Sequence, residues 1–568
     1  MPRTLTDLAT ELLWKIFQDL DAQDILHVGV LGRRLAFVAA PAYLARKGLP
    51  QPETYCTIRP SRGGCLDEIT ALTINSSLVS IKQLVCIFPD HWQLKGTSTS
   101  LSPISILVRD IRRVNNLISR LSSVGSVCIA FYSMGTQWSL QSDIVQEFMA
   151  AFFELLDNIM QRSCTSLQVL HSHPIAFQTN YRFQLLGSPK ARACGSIRRL
   201  FVKNTPGPLE TLTDDSLQGN GWSYRNIPDL NSIPLSRSPL ILQSRLTKVD
   251  LSSDFLLLPP YAPWIFGVLK SSPLTQLALS LPRAIPADEF RHYIFPRMIA
   301  VLPKLEELKF AFWYYDSLST VVESLSLFPV LRKVAFGAKQ EGIFPAIAWP
   351  RGRHNLAHLD SFTGSLDQAV YFFTQPISCP NLKFVNITID FNFRNDSFIF
   401  QANLDYMAIA TKLSTLNTRF TEQKIEPVIT TCIFAIATPI LPRLQVQNTE
   451  EEENLLKKFD RVSRLNLEIP FFICDVNEIT NQADYVLSWL RFFRCVKDLS
   501  LISRHFLQGD SFQEIRKSTL LAAINTQHPD ISSFEIADPS GSYHSHWQSA
   551  GDNFGRYKLP KACVCSNF

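Results

Sequence analysis

The chain has 568 residues, 55 basic against 50 acidic, for a net charge of +5. With 46% hydrophobic, 11% aromatic and 18% charged residues it is no disordered chain, and its length calls for several cores or an elongated repeat architecture. So small a positive excess gives no argument for a dedicated nucleic-acid surface, and 34 prolines against 22 glycines disfavour a Gly-rich phosphate-binding or linker protein.

The longest apolar run, Ile429 to Leu441, covers about 13 residues where roughly 20 are needed, so no membrane span is expected. Asp7 and Glu11 interrupt the apolar run that a signal peptide needs. The 12 cysteines are scattered singly apart from Cys563 and Cys565, which suits a reducing compartment, cytoplasmic and/or nuclear. The sequons at Asn75, Asn386 and Asn395 then read as chance matches.

Residues 5 to 47 read as a small helical module. Leu12, Leu13, Ile16, Phe17 and Leu20 make the stripe of an amphipathic helix. Asp21, with Asp24 three residues on, reads as the cap of a second helix carrying Ile25, Leu26, Val28, Val30 and Leu31, which Gly32 breaks. A third short helix is expected over 33–40, with Pro41 ending it or starting the next. So little chain buries little surface, and the module must lean on a partner or on the rest of the protein.

The run Leu8-Ala9-Thr10-Glu11-Leu12-Leu13, then Ile16-Phe17, Leu20, Asp24-Ile25-Leu26 and Val30 to Arg34 resembles an F-box, over roughly 40 of the 568 residues. It departs from that family at Ala9, where the family has proline, and in having no tryptophan after Arg33 and Arg34. The resemblance implies that Leu8, Leu12, Ile16, Phe17, Leu20, Ile25, Leu26 and Val30 divide between the module's own core and the groove of a Skp-type adaptor.

Past residue 60 a hexad, apolar-x-x-apolar-x-apolar, keeps returning. It starts at Ile69, Val124, Ile197, Leu246, Leu274, Leu305, Leu331, Leu382, Val462, Val496 and Ile531, with a further copy at Leu167 and a weak one at Leu356. From Leu246 to Leu382 the starts lie about 25 to 31 residues apart, a repeat-like period. Pro273, Pro303, Pro329, Pro380 and Pro529 stand one or two residues before a hexad, as if ending a helix and releasing a strand. Helical stripes precede several copies, over 144–159, 288–301, 317–327, 367–373 and 484–493. Helix then strand, many times over, predicts an α/β solenoid with parallel strands on a concave face and helices on a convex one.

This portion resembles the degenerate leucine-rich repeats of fungal-type F-box proteins. It lacks the Asn or Cys that regular repeats place after the last apolar position. The expected organisation is an F-box-like module at 1–50, the solenoid at 51–545 and a tail at 546–568. Insertions are expected near 205–244, as a Pro/Ser/Asn-rich loop, and near 420–455, because the gaps from 197 to 246 and from 413 to 462 are both 49 residues. Hexad geometry puts Lys248, Asp250, Glu307, Lys309, Lys333, Phe384 and Asn386 on the concave face, a mixed-sign surface that suits a protein ligand better than a phosphate backbone.

Chemical constellations are sparse. His354 and His358 stand four apart, yet Asn355 follows the first where a metalloprotease has glutamate. The pairs His171/His173, His544/His546 and Cys563/Cys565 match no common zinc module. No nucleophile elbow, Walker loop or dinucleotide fingerprint is present, so neither a cofactor nor a metal is expected. Cys565-Ser566-Asn567-Phe568 has the bare outline of a prenylation box. The resemblances imply a non-catalytic substrate receptor of a cullin-RING ubiquitin ligase, with an unknown protein as its target. The alternative is a repeat scaffold outside any ligase, its N-terminal helices merely capping the solenoid.

Overall fold

The computed structural model describes residues 5–60, 67–88, 103–131, 142–170, 181–185, 222–226, 244–252, 255–258, 261–281, 285–312, 315–337, 354–375, 377–391, 406–433, 462–469, 486–487, 489–490, 493, 495–503, 522 and 524–537. The chain packs as two units, Met1–Leu305 and Glu306–Phe568.

The first unit opens with three helices, α1 (Thr10–Asp19), α2 (Ala22–Gly29) and α3 (Arg33–Arg46). Strands and helices then alternate: β1 (Tyr55–Ile58), α4 (Glu68–Ile74), β2 (Ser80–Phe88), α5 (Pro103–Arg120), β3 (Ser123–Phe131), α6 (Ser142–Gln161) and β4 (Ser166–Leu170). A two-stranded antiparallel ribbon follows, β5 (Tyr181–Leu185) with β6 (Trp222–Asn226). Then come β7 (Lys248–Leu251), α7 (Ala262–Ser271), β8 (Gln276–Leu281) and α8 over 287–301, whose middle turn, Phe290–Ile294, is π-helical. Strands β1, β2, β3, β4, β7 and β8 form one parallel sheet in that order.

The second unit repeats the plan. Its parallel sheet runs β9 (Glu307–Phe312), β10 (Lys333–Gly337), β12 (Ser361–Ser365), β14 (Phe384–Phe391), β15 (Glu426–Ile433), β16 (Arg464–Ile469), β17 (Asp498–Ser503) and β18 (Ser533–Ala537). Helices α9 (Tyr315–Ser324), α10 (Leu366–Phe373) and α11 (Tyr406–Gln423) lie in the connections, and β11 (His354–Asn355) pairs with β13 (Ile377–Ser378). Successive parallel neighbours with helical crossovers are the mark of stacked βα units, a solenoid-like α/β arrangement in each unit.

One backbone device recurs at the strand entrances. The carbonyl at the second hexad position accepts the N–H groups of the second and third positions of the next copy. Thr165 accepts from Thr247 and Lys248, Thr247 from Thr275 and Gln276, and Glu306 from Arg332 and Lys333. Arg332 accepts from Asp360 and Ser361, Asp360 from Lys383 and Phe384, Ser463 from Lys497 and Asp498, and Lys497 from Ser532 and Ser533. Where threonine fills the position, its hydroxyl adds a third bond, Thr247 Oγ1 to the Thr165 carbonyl at 3.2 Å and Thr275 Oγ1 to that of Thr247 at 3.3 Å. The resulting register stacks the fourth hexad positions, Leu308 on Val334 on Phe362 on Val385. At Gly125, the second position of the β3 copy, an added Cβ would stand 2.6 Å from the Lys82 carbonyl, so only glycine fits.

The apolar face of each sheet packs on its helices through aromatic side chains. In the first unit Phe88 stacks on Phe131 at 5.3 Å between centroids, and Phe131 meets Phe152 of α6 at 5.7 Å. Neighbouring helices are pinned by a buried bond, Trp264 Nε1 of α7 donating to Asp157 Oδ1 of α6 at 2.8 Å. In the second unit Phe362 contacts Phe336, Phe372 and Phe373, and Phe373 reaches Phe420 of α11.

Several sequence expectations change. The hexad at Ile69–Ile74 is helix α4, because Asp67 caps it, accepting from Thr70 N at 3.1 Å. The copy assigned to Leu356 starts three residues later at Leu359, whose neighbours Asp360 and Ser361 carry the repeat bond. Of the insertion expected over 420–455, residues 420–433 are the end of α11 and strand β15, and Leu413 lies inside that helix. The stretch read as a loop over 205–244 contains strand β6. Pro41 neither ends nor starts a helix: α3 runs through it, since Ala42, Tyr43 and Leu44 beyond are buried. The hexad at Ile197, residues 434–455 of the expected second insertion and the C-terminal tail lie outside the described residues.

Phe362 is fully buried between strand and helix layers. Phe362→Ala is expected to cost about 3–5 kcal/mol, read as a lowered urea midpoint of the transition that reports the second unit.

Candidate functional site

The N-terminal helices divide their apolar residues between two destinations. Leu13, Phe17, Ile25 and Leu26 are 0% exposed and form the module's core. Leu12 is 48% exposed, Val30 45%, Leu31 76% and Phe37 55%. Of the eight residues tied to adaptor binding by the F-box resemblance, Phe17, Ile25 and Leu26 thus face inward, Leu12 and Val30 outward, and Leu8, Ile16 and Leu20 are half-buried. Leu31, read in the sequence as part of the second helix's apolar set, is exposed as well, and so are Phe37 and Trp14, which the helical stripe does not single out.

Local chemistry fixes this arrangement. Asp21 caps α2, its Oδ1 accepting from Asp24 N at 2.8 Å. Arg34 of α3 donates to the Leu8 carbonyl at 2.7 Å, while Arg46 at the other end of α3 donates to the carbonyls of Phe17, Gln18 and Leu20. The two arginines therefore hold α1 and α3 parallel, and Arg46 satisfies carbonyls that the end of α1 leaves open. Leu12, four residues on from Leu8, and Phe37, three on from Arg34, each lie one turn from the Arg34–Leu8 link.

The other side of the module is covered. An added Cβ on Gly29 would stand 2.9 Å from Ala39 Cβ and 3.3 Å from Ile74 Cδ1, so α2, α3 and α4 meet without room for a side chain there. Tyr43 of α3 is buried, and its hydroxyl pKa is pushed up to about 12 by burial and by the nearby carboxylates of Glu68 and Asp67. Asp67 in turn takes both terminal nitrogens of Arg113 of α5, at 2.9 and 2.5 Å, which carries the connection into the next repeat.

The sheet residues expected to face a ligand alternate along their strands with buried ones, Val249, Leu308, Phe310, Val334, Val385 and Ile387. In the first unit Lys248 and Asp250 are half-buried, and Asp250 accepts from Gln168 Nε2 and Ser252 Oγ, both at 3.4 Å. In the second unit Glu307, Lys333 and Phe384 fall in one cross-strand row and Lys309 and Asn386 in the next. Glu307 pairs with Lys309 at 3.1 Å, and Phe384 is 67% exposed. Asn386 Oδ1 accepts from Thr430 Oγ1 at 3.0 Å, which accepts from Asn466 Nδ2 at 3.2 Å, a polar ladder across β14, β15 and β16. Thr430 is missing from the expected surface because Pro427 in the alternation Ile425, Pro427, Ile429 reads against a strand.

Among the described residues no group of three or more His, Cys, Asp and Glu is placed to hold a metal ion, and no helix is long and apolar enough to cross a membrane. Asn75 is buried with Oδ1 bound to the Ser77 amide and hydroxyl, which agrees with reading its sequon as chance. The pKa values of Cys56, Cys128, Cys164 and Cys379 are pushed up to about 12, chiefly by burial. No protein-family model matches the chain, and no curated protein matches it.

Leu12→Asp is expected to shift folding stability by no more than about 1 kcal/mol, whereas Phe17→Asp buries a charge and costs more than about 4 kcal/mol; thermal melts followed by circular dichroism distinguish them. The four buried thiols remain un-ionised through pH 9, so iodoacetamide should leave them unlabelled in native protein and label them after denaturation, as read by peptide mass mapping.

Proposed function

We propose that the chain is a non-catalytic substrate receptor, its N-terminal helices docking on a Skp-type adaptor of a cullin-RING ubiquitin ligase and its repeats holding a target protein. The observation that carries this reading is that Leu12, Val30, Leu31 and Phe37 are left exposed on a module that is anchored to α4 at Gly29. Large apolar side chains left exposed on a folded module are the usual material of a protein-docking surface. The F-box resemblance of residues 8–34 supplies the class of partner.

In this scheme the sheet face with Phe384, Lys333 and Asn386 presents the target. An exposed aromatic among polar neighbours serves as an anchor for binding. Holding a target near a charged ubiquitin carrier raises the effective concentration of its lysines, so the receptor needs no active site. The compartment that suits this reading is cytoplasmic and/or nuclear.

A second reading, a repeat scaffold outside any ligase, is favoured by the close packing at Gly29, Ala39 and Ile74, which makes the helices a cap for the first repeat. An adaptor pull-down with purified full-length protein separates the two. Wild type should retain the adaptor, and Leu12→Asp with Leu31→Asp should lose at least tenfold in affinity while keeping its circular dichroism spectrum. Equal capture by both, or capture by neither, leaves the scaffold reading.

A further inference from the structure

At the strand-entry edge of the first unit, a cavity of about 250 Å³ opens between the end of α4, the segment leading into β2 and the end of α5. Leu72, Leu117 and Leu121, at most 2% exposed, close it from below, and its accessible apolar surface comes from the half-buried Leu78 and from Val79, 59% exposed. Two guanidinium groups, Arg120 and Arg162, stand in the wall, and among the described residues neither has a carboxylate partner. Arg162 is held in place by donating to the Ser119 carbonyl.

The remaining polar groups are biased in the same direction. The Asn75 oxygen is taken up by the Ser77 amide at 3.2 Å and hydroxyl at 2.6 Å, and Ser122 Oγ gives its proton to the Val79 carbonyl at 3.0 Å. The Asn75 amide nitrogen and the two guanidiniums, which only donate, are offered to a ligand together with the Ser76 hydroxyl, which can donate or accept. The nearest helix-end carbonyls are engaged as well, Ser119 by Arg162 and Ala71 by Asn75 N.

We propose that this cavity binds a small aliphatic carboxylate, its apolar body against Leu78 and Val79 and its carboxylate on Arg120 and Arg162. Planar guanidinium forks match a carboxylate in charge and geometry. The volume lies below the roughly 300 Å³ at which drug-sized pockets begin, so one residue-sized group fills it. The same chemistry is offered by a free branched-chain acid and by the C-terminal residue of a peptide. The site stands apart from the N-terminal docking face and holds whether or not an adaptor binds.

The test is isothermal titration of the full-length protein with 4-methylpentanoate, 4-methylpentanamide, and the peptide Gly-Gly-Leu with a free or an amidated C-terminus. Saturable binding of the free carboxylates is expected, with none for the amides, and about tenfold or more weaker binding in Arg120→Gln. The charge-matched control Lys304→Gln should bind like wild type. Tighter binding of the peptide assigns the site to a chain end, and tighter binding of the free acid assigns it to a small molecule. Absence of saturation at about 10 mM with both carboxylates, equal binding of acid and amide, or an unchanged affinity in Arg120→Gln overturns the proposal.

Discussion

One hydrogen-bond pattern sets much of the architecture: at seven strand entrances among the described residues, a single carbonyl takes two N–H groups from the next repeat. It fixes the register of every pair it joins, and with it the stacking of fourth hexad positions into apolar ladders, Leu308–Val334–Phe362–Val385 and Leu465–Leu499–Phe534. A slip of one residue would turn those ladders to the opposite face, so the core and the entrance bond enforce each other. Because the donors and acceptor are backbone atoms, the second hexad position accepts Thr, Glu, Arg, Asp, Ser or Lys. That tolerance explains how the repeats persist with so irregular a sequence. The exception is Gly125, where the approach of the Lys82 carbonyl leaves no space for a Cβ.

Much of the fold was legible because hydrophobic period and repeat spacing agree. The hexads at Val124, Leu246, Leu274, Leu331, Leu382, Val462 and Val496 all lead into strands, and the stripes before several of them are helices. Where the reading failed, a second physical rule outweighed the pattern. At Ile69 an N-cap aspartate turned an apolar-x-x-apolar-x-apolar run into a helix, to which that spacing is equally suited. At Leu356 two leucines three residues apart offered two starts, and only the main-chain bond from Asp360 tells them apart. Strand β15 was hidden by its proline.

The candidate docking face was legible in composition but not in orientation. A helical stripe names Leu12, Leu13, Ile16 and Phe17 together, yet which side of it is buried depends on where α3 lies. That position is set by Arg34 and Arg46, 26 to 29 residues from the carbonyls they hold, a separation no local pattern encodes. The sheet face shows the converse. Alternation along each strand sufficed to separate Lys248 and Asp250 from the buried Val249 and Leu251, and Lys333 from the buried Val334, because a strand has only two sides to offer.

The packing of α3 against α4 joins two things usually treated separately. Stacked repeats draw their stability from nearest neighbours, and the first repeat has the N-terminal helices as its neighbour on that side. Any ligand that binds the folded helices and not the unfolded ones stabilises that end of the chain by mass action, by about 2.7 kcal/mol at a hundredfold excess over its Kd. Opening from this end, and the proteolysis that follows it, then slows in proportion to how often the face is covered. The lifetime of the chain in a cell becomes a record of its occupancy.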